Sequence, residues 1–239
     1  MRLSSVVHDC LYVNWAIPLP ERVELPAGFT FDHLQVDGKP HYFASALLFR
    51  QRGLRAVAMP WFPVSHTQAN LRLYVRDSEG QPAVLFRAIW VPPWLRPAMR
   101  WVAKVPAEAA TLDFPHSPVL PDAKGTWRIS CGNNFVVRTS LGCRLSSEHG
   151  NWHQTVSFFR QRGLGYIEPE EGLRQISAVQ PDADAVPITA DVTESDLADH
   201  ALTGQLQGVP VYSAFLCERL PFEFELVAER EAEPLAPTG

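Results

Sequence analysis

From Ala69 to Arg76 the chain reads ANLRLYVR, with apolar and polar residues trading places at every step. In an extended chain this alternation puts Leu71, Leu73 and Val75 on one face, and Asn70, Arg72, Tyr74 and Arg76 on the other. Strand-sized apolar or alternating segments recur throughout: 10–17, 41–49, 54–62, 82–90, 109–114, 125–131, 134–141, 172–179, 186–192, 210–218 and 222–229. Many are rich in β-branched and aromatic residues, which suits half-buried strands. Twenty-one prolines and fourteen glycines punctuate the intervals between them.

Helical spacing is found in two places. The segment 92–104 opens on prolines, and Pro97 confines its regular part to the second half, where Met99, Val102 and Ala103 recur at helical intervals. The segment 151–163 carries Trp152, Val156 and Phe159 on one stripe, and Gly163 follows as a natural C-cap. Many strands with two or so short helices predict one mostly-β domain over residues 1–230, built as a large barrel or sandwich rather than as βαβ units. The acidic, proline-rich residues 231–239 are expected to form a disordered tail.

Composition narrows the function classes. Hydrophobic residues make up 46% and charged residues 20%, as in ordinary globular proteins, and the length suffices for a substantial core. A net charge of -5 with scattered arginines gives no basic stripe for nucleic acid. No apolar run approaches the roughly 18 residues needed to span a bilayer, and His8 and Asp9 interrupt the start of the chain. The four cysteines (Cys10, Cys131, Cys143, Cys217) are widely spaced, which fits reduced thiols and a cytoplasmic location.

Candidate chemistry is sparse. In EHGNWH, Glu148, His149 and His153 lie close together, but Asn151 reads as a helix N-cap that leaves His149 outside the helix, so no metal site is expected. No G-x-S-x-G, G-x-G-x-x-G or P-loop sequence is present, and no cofactor is implied. The strand at 69–76 admits two readings. Either its polar face is wet, or that face lines a barrel interior where Arg72 holds a carboxylate bidentately.

The order LYVNWAIP, LPAGFTFDHLQVDGKPHYFASALLF and NLRLYVRDSEGQPAVLF resembles the YqjF-like family of uncharacterised proteins (domain of unknown function 2071). The resemblance extends over residues 8–220 and is strongest over 24–114. This family is grouped with acetoacetate decarboxylase-like proteins. The resemblance therefore implies a closed, mostly antiparallel β-barrel around a central cavity. In the decarboxylases a lysine just after a proline forms a Schiff base with the substrate ketone, its pKa lowered by desolvation and a neighbouring cation. Here the matching proline is Pro106, and Ala107 and Glu108 follow it, so the nucleophile is missing. Lys104 lies before that proline, in what the pattern predicts to be the last turn of a helix, where the dipole favours a cation. Lys39 and Lys124 fall in turns expected to be wet.

Three functions remain open at this point. The first is a barrel that binds a small organic acid or ketone, either as a binding module or as an enzyme that transforms it. In it Arg72 holds the anion, Asn70 and Tyr74 orient it, and Glu108 acts as acid or base if buried. The second is a decarboxylase-like lyase using Lys104. The third is a non-catalytic structural or interaction protein whose barrel is filled by side chains. A small-molecule ligand is the expected partner, with no nucleic acid and no membrane, and the likeness to the decarboxylases makes a homo-oligomer an option.

Overall fold

In the computed structural model, residues 1–19, 25–115, 124–142, 152–168, 174–179, 184–202, 204–206 and 208–227 are described. Strand β1 (Arg2–Pro18) is followed by two short strands, β2 (Thr30–Phe31) and β3 (Leu34–Val36). Three long strands come next: β4 (Lys39–Ala56), β5 (Val64–Arg76) and β6 (Pro82–Val91). Helix α1 (Arg96–Trp101) leads to β7 (Glu108–Ala109), β8 (Thr111–Asp113), β9 (Gly125–Cys131) and β10 (Asn133–Leu141). The remaining elements are α2 (Trp152–Arg160), β11 (Leu164–Ile167), β12 (Arg174–Val179), β13 (Ala185–Glu194), α3 (Asp196–Ala201) and β14 (Ser213–Leu226).

Seven strands close into a barrel in the order β1-β4-β5-β6-β11-β12-β14, with β14 returning to pair with β1. Every pairing in this ring is antiparallel except β6 with β11, which is parallel. Closure removes free sheet edges and creates an inside and an outside. From β14 the sheet continues through β13, β10, β9 and β8. That extension packs Trp127, Ile129, Phe135 and Val137 against Leu11, Leu48, Leu71 and Leu73 on the outside of the barrel.

The two larger of three cores among the described residues follow from this double layer, and alternation feeds both; the third gathers Ile89, Val91, Leu95, Val105, Ala107 and Ile167. Leu71 is fully buried in the outer core, while its neighbour Arg72 is 3% exposed on the inner side. Through Tyr74 the polar face of 69–76 is thus not a wet face and both sides of β5 are covered there; on that face only Arg76, at the strand's end, is exposed. The inner core is aromatic: Tyr12, Phe43, Tyr74, Phe159 and Phe215 belong to it, and Phe159 brings α2 into one end of the barrel. A bulge in β1 keeps this face continuous. The register against β4 shifts between His8 and Leu11, and Asp9 takes a left-handed φ of 52°. Asp9 meets Arg50 there at 2.9 Å.

Several expected boundaries shift. Residues 54–62 are not a separate strand: Leu54–Ala56 finish β4, and residues 57–63 form the turn into β5. The expected strands at 210–218 and 222–229 are one, running through Pro221, which pairs with Val6. A third helix, α3, adds to the two expected; with only six residues it carries too little periodicity to be read. Gly163 lies beyond the end of α2 without a positive φ, so it does not cap the helix in left-handed geometry. No helix of the described residues is long and apolar enough to cross a membrane. The expected tail at 231–239 lies outside the described residues.

Candidate functional site

On the inner face of β5, residues at intervals of two form an unbroken polar stripe: His66, Gln68, Asn70, Arg72 and Tyr74. All five are buried. Its hydrogen bonds have a direction. The Gln68 amide nitrogen donates to Asn70 Oδ1 at 2.8 Å, which leaves Gln68 Oε1 to accept from His66 Nε2 at 3.0 Å. The Asn70 amide nitrogen is then left with its two N–H donors and no protein acceptor among the described residues. Next along the stripe, Arg72 Nη2 donates to the Tyr74 hydroxyl and to the Phe159 carbonyl, both at 2.9 Å, while its Nε has no partner. At Asn70 and Arg72 the stripe therefore presents donors without acceptors, the complement of a carboxylate, while at its far end His66 Nδ1, an acceptor when Nε2 carries the proton, has no partner among the described residues.

A second buried arginine sharpens the point. Arg162 ion-pairs with Asp32 and donates from Nε to the Phe158 carbonyl at 3.1 Å. Its charge is balanced. Arg72 has no carboxylate partner among the described residues. Instead its guanidinium lies 5.3 Å from the ring centroids of both Tyr12 and Tyr74 and faces the carbonyl end of α2. Ring faces and a helix C-terminus supply only partial negative charge. Buried cations are normally paired, so the charge balance of Arg72 is incomplete among the described residues.

Arg72 lines a cavity of about 150 Å³ in the barrel, together with Asn70, Gln68 and Arg162. Most of the remaining lining is apolar, including Leu47, Ile89, Phe222 and Leu226. Burial pushes the Tyr12 hydroxyl and the Cys10 thiol well above their ordinary values, so both face the cavity as neutral groups. The Cys217 thiol is pushed up to about 11 by the same cause.

The sequence candidates separate cleanly. Asn70, Arg72 and Tyr74 come together on the inner face. Lys104 and Glu108 do not join them. Lys104 is exposed, lies three residues past the end of α1 rather than in its last turn, and takes a left-handed φ of 55°. Glu108 is exposed as well and accepts from Trp90 Nε1 at 3.2 Å, so the burial that would have made it an acid or base is absent. Lys39 and Lys124 are also exposed. His153 is exposed on α2, whereas Glu148 and His149 lie outside the described residues. Sequence reading missed Gln68 and His66, which extending the alternation back through VSHTQ would have found. It also missed Arg162, whose partner Asp32 is 130 positions away.

Residues 6–201 match the model of the DUF2071 family, described as an uncharacterized conserved protein. The chain belongs to that family. No curated protein matches this DUF2071 chain. Its fold is similar to that of the enduracididine biosynthesis enzyme MppR complexed with the condensation product of pyruvate and imidazole 4-carboxaldehyde. The TM-score is 0.60 at 14% identity, covering 95% of this chain and 89% of that one. It is similar to an acetoacetate decarboxylase-like enzyme from Sphingomonas wittichii RW1, with a TM-score of 0.58, 16% identity, and coverage of 94% and 92%. The acetoacetate decarboxylase of Legionella pneumophila subsp. pneumophila str. Philadelphia 1 gives 0.57 at 11% identity, with coverage of 94% and 87%. At such identities the likeness is one of fold, and the DUF2071 chain has the acetoacetate decarboxylase-like barrel.

Proposed function

We propose that this DUF2071 barrel binds a small organic carboxylate, with Arg72 as the anion-holding group and Asn70 beside it as a second donor. One observation carries the reading: a buried guanidinium that lines a cavity and has no carboxylate partner among the described residues. A ligand carboxylate would accept from Arg72 and Asn70 and complete the charge balance. The complex of MppR with a pyruvate-derived product, in a barrel of the same fold, is consistent with a cavity suited to small acids.

Schiff-base chemistry is not part of this proposal. None of the residues lining the cavity is a lysine, and an exposed amine lacks the desolvation that would make it neutral and nucleophilic. A filled, purely structural barrel is the weaker reading because about 150 Å³ stands open beside the polar stripe. Buried thiols at Cys10 and Cys217, neither of them in a disulfide, support a reducing, cytoplasmic location.

Calorimetric titration with acetate, pyruvate and acetoacetate tests the proposal, using the native chain, Arg72→Met and Asn70→Ala. Saturable binding to the native chain is expected, weakened at least tenfold in Arg72→Met and less in Asn70→Ala. Near-ultraviolet circular dichroism checks that each variant keeps its packed core. Equal binding to native and Arg72→Met protein, or none to the native chain, would remove Arg72 from this role.

A further inference from the structure

The cavity has two chemically different walls, and they face one another. The polar wall is β5, with Gln68, Asn70 and Arg72. The strands β12 and β14 contribute Ile176, Leu220, Phe222, Phe224 and Leu226. In the ring, β14 is separated from β5 by β1 and β4 on one side and by β6, β11 and β12 on the other, so β5 and β14 lie across the barrel. The lining runs along β4 from Leu47 to Leu54, roughly 20 Å of strand at the usual rise per residue.

From this division we infer that the ligand is an amphiphilic monocarboxylate, an acid whose apolar part is about the size of one aromatic ring or a short alkyl chain. The inference rests on the reading that Arg72 holds a carboxylate, and adds what lies beyond the carboxylate. Three observations fix the class. Only one of the two arginines at the cavity lacks a carboxylate partner, which suits one carboxylate rather than two. The apolar wall offers nothing to hydroxyl groups, so a sugar acid would lose hydrogen bonds to water without replacement. Finally, a volume of about 150 Å³ is what an apolar cavity needs to take up a benzene-sized molecule. A long-chain fatty acid is too large for it. The smallest keto acids, conversely, would leave the apolar wall facing empty space or poorly bonded water.

A series of acids tests the inference by calorimetry at fixed ionic strength: acetate, butyrate, hexanoate, phenylacetate and dodecanoate. Affinity is expected to rise about fourfold per methylene from butyrate to hexanoate, the increment for burying one CH₂. Phenylacetate should bind at least as well as hexanoate, and dodecanoate should gain nothing further. Arg72→Met should weaken every acid in the series. Ala178→Leu, which adds bulk to a half-buried lining position, should lower the ratio of phenylacetate to acetate affinity at least tenfold. If acetate binds as tightly as hexanoate and both depend on Arg72, the carboxylate reading stands and the amphiphile inference falls. If hexanoate binds equally well to Arg72→Met, the pocket is an apolar site and the carboxylate reading falls instead. Continued gain through dodecanoate would overturn the size limit, and a series in which no acid binds would overturn both readings.

Discussion

Arg72 and Tyr74 stand two residues apart on β5 and donate to the same acceptor, the carbonyl of Phe159, at 2.9 and 3.1 Å. Phe159 lies in the last turn of α2, where carbonyls have no partner within the helix. Arg162 treats the preceding carbonyl, that of Phe158, in the same way. Side chains of the barrel interior thus cap the helix that enters one end of the barrel. The group proposed to hold the anion is fixed in place by this cap rather than by a counter-charge.

Replacing Tyr74 with Phe tests that arrangement. The Tyr74 hydroxyl accepts from Arg72, donates to Phe159 and lies 2.8 Å from the Ser45 hydroxyl. Removing it leaves buried polar groups short of a partner, which typically costs about 1–3 kcal/mol. We expect a loss of that size in urea-induced unfolding. The transition should stay single, because β1 pairs with β14 and so ties the two ends of the chain into one ring. Two separate transitions would mean that the chain folds as independent units.

The alternation of β5 was legible because its period of two survives in the sequence. It assigned Asn70, Arg72 and Tyr74 to one face correctly. It could not say what covers the opposite face, since β8, β9, β10 and β13 reach that surface through long-range pairing that leaves no local trace. Lys104 and Glu108 were drawn in by their place next to Pro106. What separates them from the cavity is the left-handed turn after α1, and its non-glycine residue gives no sequence signal.

That turn makes Lys104 a position where a glycine is expected to do as well as a lysine. A non-glycine residue in the left-handed region is strained by roughly 1–2 kcal/mol, partly offset by the greater unfolded-state freedom of glycine. We expect Lys104→Gly to leave stability unchanged or raise it by up to about 1 kcal/mol. Borohydride reduction of the native chain in the presence of acetoacetate should give no adduct at Lys104 by peptide mass spectrometry. A stoichiometric adduct there would restore the lyase reading.

His66 sets a pH dependence. Burial lowers its pKa from the ordinary 6.5, and the Gln68 hydrogen bond offsets only part of that effect. The folded state therefore resists protonation while the unfolded chain accepts a proton from 6.5 downward. Stability should fall as the pH drops below 6.5 and stop responding to this group once the lower folded value is passed. His8 is shifted in the same direction, chiefly by burial, so His66→Gln should reduce the slope without abolishing it. Urea midpoints measured between about pH 5 and 7 decide the matter, this being the range where histidine charge changes. An identical slope in His66→Gln would show that His66 titrates alike in both states.

Asp32 offers the sharpest contrast between the two buried arginines that line the cavity, Arg72 and Arg162. It is 4% exposed and accepts from Arg162 and, at 3.0 Å, from Arg76. Asp32→Asn would strip Arg162, whose side chain is 4% exposed, of its counter-charge. Breaking a buried pair from one side typically costs about 3–5 kcal/mol. Pairing Asp32→Asn with Arg162→Met should recover part of that loss, because an apolar side chain tolerates the site once the charge has gone. A second consequence bears on the ligand. With Asp32 neutralised, the cavity holds two guanidinium groups lacking a carboxylate, so a bound acid becomes a substitute counter-ion. Added acetate, at constant ionic strength, should therefore raise the melting temperature of Asp32→Asn more than that of the native chain. If acetate shifts both equally, anions do not reach Arg162, and the cavity's charge is confined to Arg72.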